Sequence, residues 1–251
     1  MGIWALDFDG VLCDTAQETG HRAWEILRQF EPALPEMLPA EMLARWTALR
    51  PVLEKGWQCA PLMAAAVQGM PHAEAAANWD ALLADFLKKH QVTSDELNRR
   101  FEARRDWWIA NHPQEWLRQN PFYPGVLDTV RELRQRHHVC IVTTKTHRFT
   151  TWLLNEANLP FADADIYALD TKRPKEDTLA DLLCRPAAES GVHFIEDRLP
   201  TLERILARPD LNPVHLYLAT WGYNIPAEHA AASRTRIQVV TLEAFAALAR
   251  Q

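Results

Sequence analysis

The sequence predicts an α/β fold in which a parallel sheet covered by helices is interrupted early by an inserted all-helical block. Three observations carry that prediction. From Asn120 onward, short and nearly continuous apolar runs alternate with helical stretches, the texture of a parallel sheet buried on both faces. Residues 15–119, by contrast, carry helical patterning throughout. The N-terminal run Ile3-Trp4-Ala5-Leu6 is a single strand, which cannot bury itself and must join the later sheet. The core is therefore discontinuous, made of residues 1–14 and 120–251, with 15–119 inserted.

Taken in order, the opening strand runs into Asp7-Phe8-Asp9-Gly10, a tight turn. Helical patterning starts near Asp14-Thr15 and continues through Trp24, Ile26, Leu27 and Phe30, then returns near 41–58, 73–90 and 94–111. Pro32, Pro35, Pro39, Pro51, Pro61, Pro71 and Pro113 punctuate these segments. No fixed-period repeat suggests a solenoid. In the second half, strands are expected at 138–143, 165–169, 192–196, 214–219 and 237–240.

Composition narrows the function classes. Hydrophobic residues make up 48% of the 251 residues and charged residues 24%, ordinary for a folded soluble chain. The net charge of −6 opposes a nucleic-acid backbone, so no nucleic-acid partner is expected. Cys13, Cys59, Cys140 and Cys184 form no C-x-x-C pair, which suits a reducing compartment. The N-terminus lacks a basic leader region, and no run reaches the roughly 20 apolar residues of a membrane span. The expected location is the cytoplasm, without a membrane partner.

In open parallel sheets ligands bind beyond the carboxyl ends of the strands, so those ends are where chemistry is sought. Glycine-rich nucleotide fingerprints are absent. Asp7 and Asp9, at alternating positions, face a common space; carboxylates that close raise one pKa or demand a hard cation such as Mg²⁺. A plain turn is the competing reading. Thr143 and Thr144 end the second apolar run ahead of a helix, where a hydroxyl and backbone amides form a phosphate-binding set, or simply cap the helix. Between 170 and 179, Lys172, Arg173 and Lys175 cluster before a helix, as a phosphate-neutralising lysine does or as a solvated loop does. Glu196 and Asp197 follow a fourth apolar run, a costly acid pair unless it meets a cation or basic partners.

Asp7-Phe8-Asp9-Gly10-Val11-Leu12 with Asp14-Thr15, the strand end Ile141-Val142-Thr143, the lysine before a helix and Glu196-Asp197 together resemble the four motifs of the haloacid dehalogenase-like hydrolases. Tyr123-Pro124-Gly125-Val126 and Thr220-Trp221-Gly222-Tyr223 are similar to loops of the phosphoglycolate phosphatase-like branch. The resemblance covers the core and implies a Rossmann-like sheet with a helical cap domain that closes over the site. It implies a Mg²⁺-dependent phosphatase acting on a small phosphorylated metabolite through an aspartyl-phosphate. Asp7 would be the nucleophile and Asp9 the general acid and base, with Thr143 and Thr144 on the phosphate. Mg²⁺ would be held by Asp7, the Asp9 backbone carbonyl, Asp197 and Glu196. The chain departs from the pattern at Arg173-Pro174, where many relatives have Lys-Pro; Lys175 is favoured as the motif lysine and Lys172 is the alternative. Thr201 stands where many relatives carry another acid. Asp9 speaks against dehalogenase chemistry, whose counterpart is not an acid.

Two other readings remain beside it: a phosphomutase built from the same parts, and a non-catalytic scaffold whose Trp46, Trp57, Trp79, Trp107, Trp108 and Trp116 form an exposed docking face. Arg104 and Arg105 lie in a basic and aromatic run that Glu102 and Asp106 interrupt, so a continuous cationic surface is not expected. One of these arginines projecting toward an anionic substrate group is the sharper expectation, a salt-bridged arginine the plainer one. The motifs address the chemistry at phosphorus, not the rest of the substrate, and do not address assembly.

Overall fold

The computed structural model describes residues 2–250, and the chain divides into two compact units, Met1–Asp14 with Pro121–Gln251, and Thr15–Asn120. The first unit carries a six-stranded sheet: β1 (Ile3–Leu6), β2 (His138–Val142), β3 (Ile166–Tyr167), β4 (Val192–Glu196), β5 (Val214–Ala219) and β6 (Gln238–Val240). Their order is β3-β2-β1-β4-β5-β6, and every neighbouring pair is parallel. The chain steps outward from β1 to β3, then returns to lay β4 on the other side of β1. That reversal opens a crevice at the strand ends. Leu6 lies opposite Ile141 and Ile195, so β1, β2 and β4 finish level with one another.

Side-chain alternation along β1 supplies both faces. Ile3 and Ala5 enter a cluster with Cys140, Val142, Val192, Phe194 and Leu216. Trp4, on the opposite face, stacks on His193 with ring centroids 4.3 Å apart. The third strand is only two residues long, because Leu169–Thr171 turns into a 3-10 helix where the sequence suggested strand as far as 169.

The second unit is helical: α1 (Ala16–Phe30), α2 (Ala40–Leu49), α3 (Cys59–Val67), α4 (His72–Ala77), α5 (Trp79–His90), α6 (Ser94–Asn111) and α7 (Pro113–Arg118). Several prolines act as boundaries rather than breaks. Pro39 and Pro71 cap α2 and α4, and Pro113 opens α7, where its missing N–H costs nothing. The expected helix over 41–58 ends at Leu49, and Pro51 sits in a 3-10 turn. Helix α3 has no sequence counterpart; it buries Cys59, Ala60, Leu62, Met63, Ala65 and Ala66, so no polar face marks its period. Asn120, placed by the sequence at the return to the core, belongs to this unit, where its Nδ2 donates to the Trp116 carbonyl at 2.7 Å.

The tryptophans do not form a docking face. Trp46 and Trp116 are fully buried, and of the six only Trp107 is exposed. Trp46 Nε1 donates to the Ala16 carbonyl at 2.8 Å, Trp46 and Trp116 are core, and Trp57 and Trp79 pack against the helical unit's core.

Back in the first unit, α8 (Val126–Arg134), α9 (His147–Glu156), α10 (Lys175–Leu183), α11 (Leu199–Leu206), α12 (Pro226–Ala232) and α13 (Leu242–Leu248) alternate with the strands. Among the described residues no helix is long and apolar enough to cross a membrane.

Candidate active site

Asp7 is the residue after β1, and its N–H extends the ladder to the Ile195 carbonyl at 3.0 Å. Its carboxylate accepts the Phe8 N–H at 2.7 Å and meets Lys175 Nζ at 2.9 Å. Burial, then the neighbouring Glu196, pushes the Asp7 carboxyl up to about 7, against the pull of Lys175 and the Phe8 amide.

Of the two candidate lysines, the fold brings Lys175 to Asp7. Lys175 is the first residue of α10, and its Nζ also donates to Glu196 Oε2 at 2.7 Å. Burial works to discharge this ammonium, but Asp7 and Glu196 outweigh it and hold the pKa above the ordinary lysine value. Lys172 is exposed on a left-handed turn at φ 51°, and Arg173 is committed to Asp181 and the Asp177 carbonyl.

Glu196 ends β4 and is fully buried. Its Oε1 accepts the N–H groups of Asp197 and Arg198, at 3.2 and 3.1 Å. Burial raises its pKa, and the adjacent Asp197 adds to that. Asp197 is held by the loop after β5: the Tyr223 N–H donates to Oδ2 at 2.7 Å, and Asn224 Nδ2 to the Asp197 carbonyl at 2.8 Å. The resembling Thr220–Tyr223 stretch thus carries a concrete task that the motif alone did not reveal. The same Tyr223 donates its hydroxyl to Asp14 at 2.9 Å, and Trp221 Nε1 donates to the Val11 carbonyl at 3.0 Å.

Asp7, Glu196 and Asp197 each offer a carboxylate oxygen within 4.8 Å of the others, all three buried. Lys175 pairs with two of the three carboxylates, and their clustered oxygens suit a hard cation with oxygen ligands. The surrounding backbone is shaped for close approach. A Cβ on Gly10, whose φ is +84°, would fall 2.0 Å from Asp197 Oδ2, and one on Gly222 would fall 2.3 Å from Asp197 Cβ. The residues present therefore fit a divalent ion.

The second strand end carries Thr143, buried, with its N–H donating to the Tyr167 carbonyl at 2.9 Å. Its Oγ1 accepts the Lys145 N–H at 3.1 Å, so the hydroxyl proton can point elsewhere. Thr144 is exposed. Asp9 sits on the turn, a quarter exposed, and its Oδ1 accepts from Lys145 Nζ at 3.1 Å. Lys145 was visible in Thr143-Thr144-Lys145 but received no role from the sequence; its proximity to Asp9 is set by the pairing of β1 with β2.

The arginines of the helical unit serve that unit. Arg105 is buried and donates to both oxygens of Glu18, and Arg104 makes a two-pronged pair with Glu25 while stacking over Trp107. The plainer expectation, a salt-bridged arginine, describes the pairs that both guanidiniums make within this unit.

A family model described as a haloacid dehalogenase-like hydrolase matches residues 3–185. No curated protein matches the chain. Among solved structures, a predicted phosphatase from Clostridium acetobutylicum superimposes with a TM-score of 0.61 at 15% identity, over 98% of this chain and 97% of that one. A predicted phosphoglycolate phosphatase from Haemophilus somnus 129pt gives 0.60 at 17% identity, over 99% and 96%. A haloacid dehalogenase-like family hydrolase from Streptococcus pneumoniae gives 0.57 at 16% identity, over 99% and 97%. Identities this low speak to fold alone, while the family match spans most of the chain and includes the Asp7 turn, the Thr143 strand end and Lys175. The chain belongs to the haloacid dehalogenase-like hydrolases.

Proposed function

We propose that the protein is a Mg²⁺-dependent phosphatase that hydrolyses a small phosphate monoester through a phosphoryl group carried on Asp7. The observation that carries this reading is the buried Asp7 carboxylate at the end of β1, in contact with Lys175 and within one oxygen cluster with Glu196 and Asp197. Water attacks phosphate monoesters extremely slowly, so a catalyst must supply a nucleophile, charge neutralisation and a proton for the leaving oxygen.

Each task has a residue. An Asp7 oxygen attacks phosphorus in line as the ester bond breaks, giving an aspartyl-phosphate. Asp9 gives its proton to the departing oxygen, then takes one from the water that cleaves the aspartyl-phosphate, which restores Asp7 and releases inorganic phosphate. Lys175 balances the charge of Asp7 and Glu196 while the phosphate adds its own. Thr143 donates its hydroxyl to a phosphoryl oxygen, and the backbone amides after Asp7 and around Thr144 share that work. Asp7, Glu196 and Asp197, with the Asp9 backbone carbonyl, would hold Mg²⁺, which supplies charge neutralisation for the phosphoryl oxygens.

The test is a panel of phosphorylated metabolites assayed for phosphate release. Release from at least one ester with Mg²⁺, lost on chelation and in Asp7→Asn, is the expected result. Release that persists in Asp7→Asn, or none from any ester by folded protein with Mg²⁺, overturns the proposal.

A further inference from the structure

The two aspartates of the Asp7-Phe8-Asp9 turn each have a lysine from a different strand end: Lys175 on Asp7 and Lys145 on Asp9. The first pair belongs to the chemistry already derived. The second is not used by it, and its geometry asks for an explanation.

Asp7 is anchored by the β1 ladder and by the Phe8 amide on its own carboxylate. Asp9 lies past the end of β1, in an isolated bridge to Cys13. It lies on the turn beyond the strand, and its side chain is 24% exposed. A carboxylate on a turn samples several rotamers, whereas proton delivery requires hydrogen-bond reach in one of them. Lys145 is the opposite kind of group. Its side chain is 1% exposed, and its ammonium lies 5.7 Å from the centroid of the Phe8 ring. Its main chain is fixed on both sides, the N–H on Thr143 Oγ1 at 3.1 Å and the carbonyl accepting from the Leu169 N–H at 3.0 Å. Burying an ammonium so deeply is costly without a carboxylate partner, and the 3.1 Å bond to Asp9 Oδ1 supplies one. A buried donor with a fixed main chain thus grips the Asp9 carboxylate by one oxygen.

We infer that Lys145 is a positioning residue for Asp9: it holds the carboxylate by Oδ1 in the orientation from which Asp9 serves the leaving oxygen. The inference rests on the phosphatase reading above and adds to it a role for a residue outside its four motifs. It also links Thr143 to Asp9 through one short segment, because the backbone that positions Lys145 bonds to the Thr143 hydroxyl.

The consequence is graded by leaving group. An alkyl phosphate expels a poor alkoxide and needs the proton from Asp9, whereas p-nitrophenyl phosphate expels a stable phenolate and scarcely needs it. The experiment measures kcat/KM, which reports the first irreversible step, for both substrates in wild type, Lys145→Met, Asp9→Asn and the double variant. In Lys145→Met the alkyl ester is expected to lose about 100-fold, the scale of a misplaced catalytic group, and the aryl ester only about threefold, since little proton transfer is needed. In the Asp9→Asn background the Lys145→Met change is expected to cost nothing further, because both substitutions remove one function. If circular dichroism shows that Lys145→Met does not fold, Lys145→Gln replaces it; its loss, smaller because a donor remains, is expected to fall on the alkyl ester and to vanish in the Asp9→Asn background. Equal losses for the two esters, or a full loss again in the Asp9→Asn background, overturn the inference. Turnover that survives in Asp7→Asn instead overturns the phosphatase reading itself, so the two failures are distinct.

Discussion

The molecule buries two clusters of charge, and they are lined differently. At the strand ends Lys175 pairs with Asp7 and Glu196, and Asp197 lies in the same buried oxygen cluster. In the helical unit Arg22 and Arg105 share Glu18, and Arg105 also pairs with Glu102 at 3.6 Å. The helical cluster is packed shut: both guanidiniums lie over the Phe101 ring, at 4.7 and 4.6 Å, and Trp116 Nε1 donates to Glu18 at 2.9 Å. The strand-end cluster is ringed instead by backbone brought close through Gly10 and Gly222. Burial of charge is common to both. What separates the two is their lining: an aromatic ring covers the guanidiniums, while glycine backbone comes close to the carboxylates.

Removing one anion from each cluster should sharpen that contrast. Asp7→Asn is expected to lower turnover by roughly 10⁴-fold or more, the scale seen when a nucleophile is lost. Its thermal midpoint in metal-free buffer should stay level or rise, because a buried carboxyl that repels Glu196 becomes neutral. Glu18→Gln should do the reverse in stability, leaving two buried guanidiniums without their shared partner. A cost of about 3–5 kcal/mol in denaturant unfolding is expected, the range for breaking a buried ion pair. Burial, then the like charge of Arg105, already pulls the Arg22 pKa below the ordinary arginine value. If Asp7→Asn unfolds the protein and Glu18→Gln does not, the comparison fails.

Mg²⁺ offers a second separation. At about one hundred times its dissociation constant, a ligand specific for the folded state adds about 2.7 kcal/mol. Wild type should gain stability of that order, and Asp197→Asn much less. Gly10→Ala should cost about 2 kcal/mol and weaken the ion's effect, since the new methyl would meet Asp197 Oδ2 in a backbone conformation with φ +84°. A Gly10→Ala protein with wild-type stability and metal response would show that the close approach is dispensable.

The smallest effect concerns the far face of the sheet. His193 lies between Trp4, His215 and Tyr217, and burial, then His215, lowers its pKa from 6.5 to about 4. Its folded pKa lies below the unfolded value, so the unfolded chain binds more protons between these limits. Stability from this group is present above pH 6.5 and lost as pH falls toward 4. In His193→Gln the decline of the thermal midpoint over that window should be shallower; an unchanged slope would remove His193 as its source.

How much of this was legible in the sequence depended on whether a residue's surroundings come from its own segment. Asp7 and Glu196 were readable because an apolar run ending in an acid states both the strand and the burial. Thr143 followed the same logic. Lys145 did not, since a lysine beyond a strand ordinarily reaches solvent; its burial depends on Phe8 and Asp9 from another strand. For Arg105 the sequence offered a salt bridge but not its main partner, because Glu18 lies 87 residues away. Helix α3 was silent because it is apolar on every side. The loop that clamps Asp197 could be named as a motif, yet its backbone donor Tyr223 appears only when β5 lies beside β4.

The most direct test of the account is to quench the protein in acid during turnover of a good phosphate ester with Mg²⁺ and locate phosphorus by peptide mass spectrometry. The account predicts a phosphoryl group on the peptide that contains Asp7, chased away by water and missing in Asp7→Asn. Phosphate release by the wild-type protein through a phosphorylated residue other than Asp7 would contradict it.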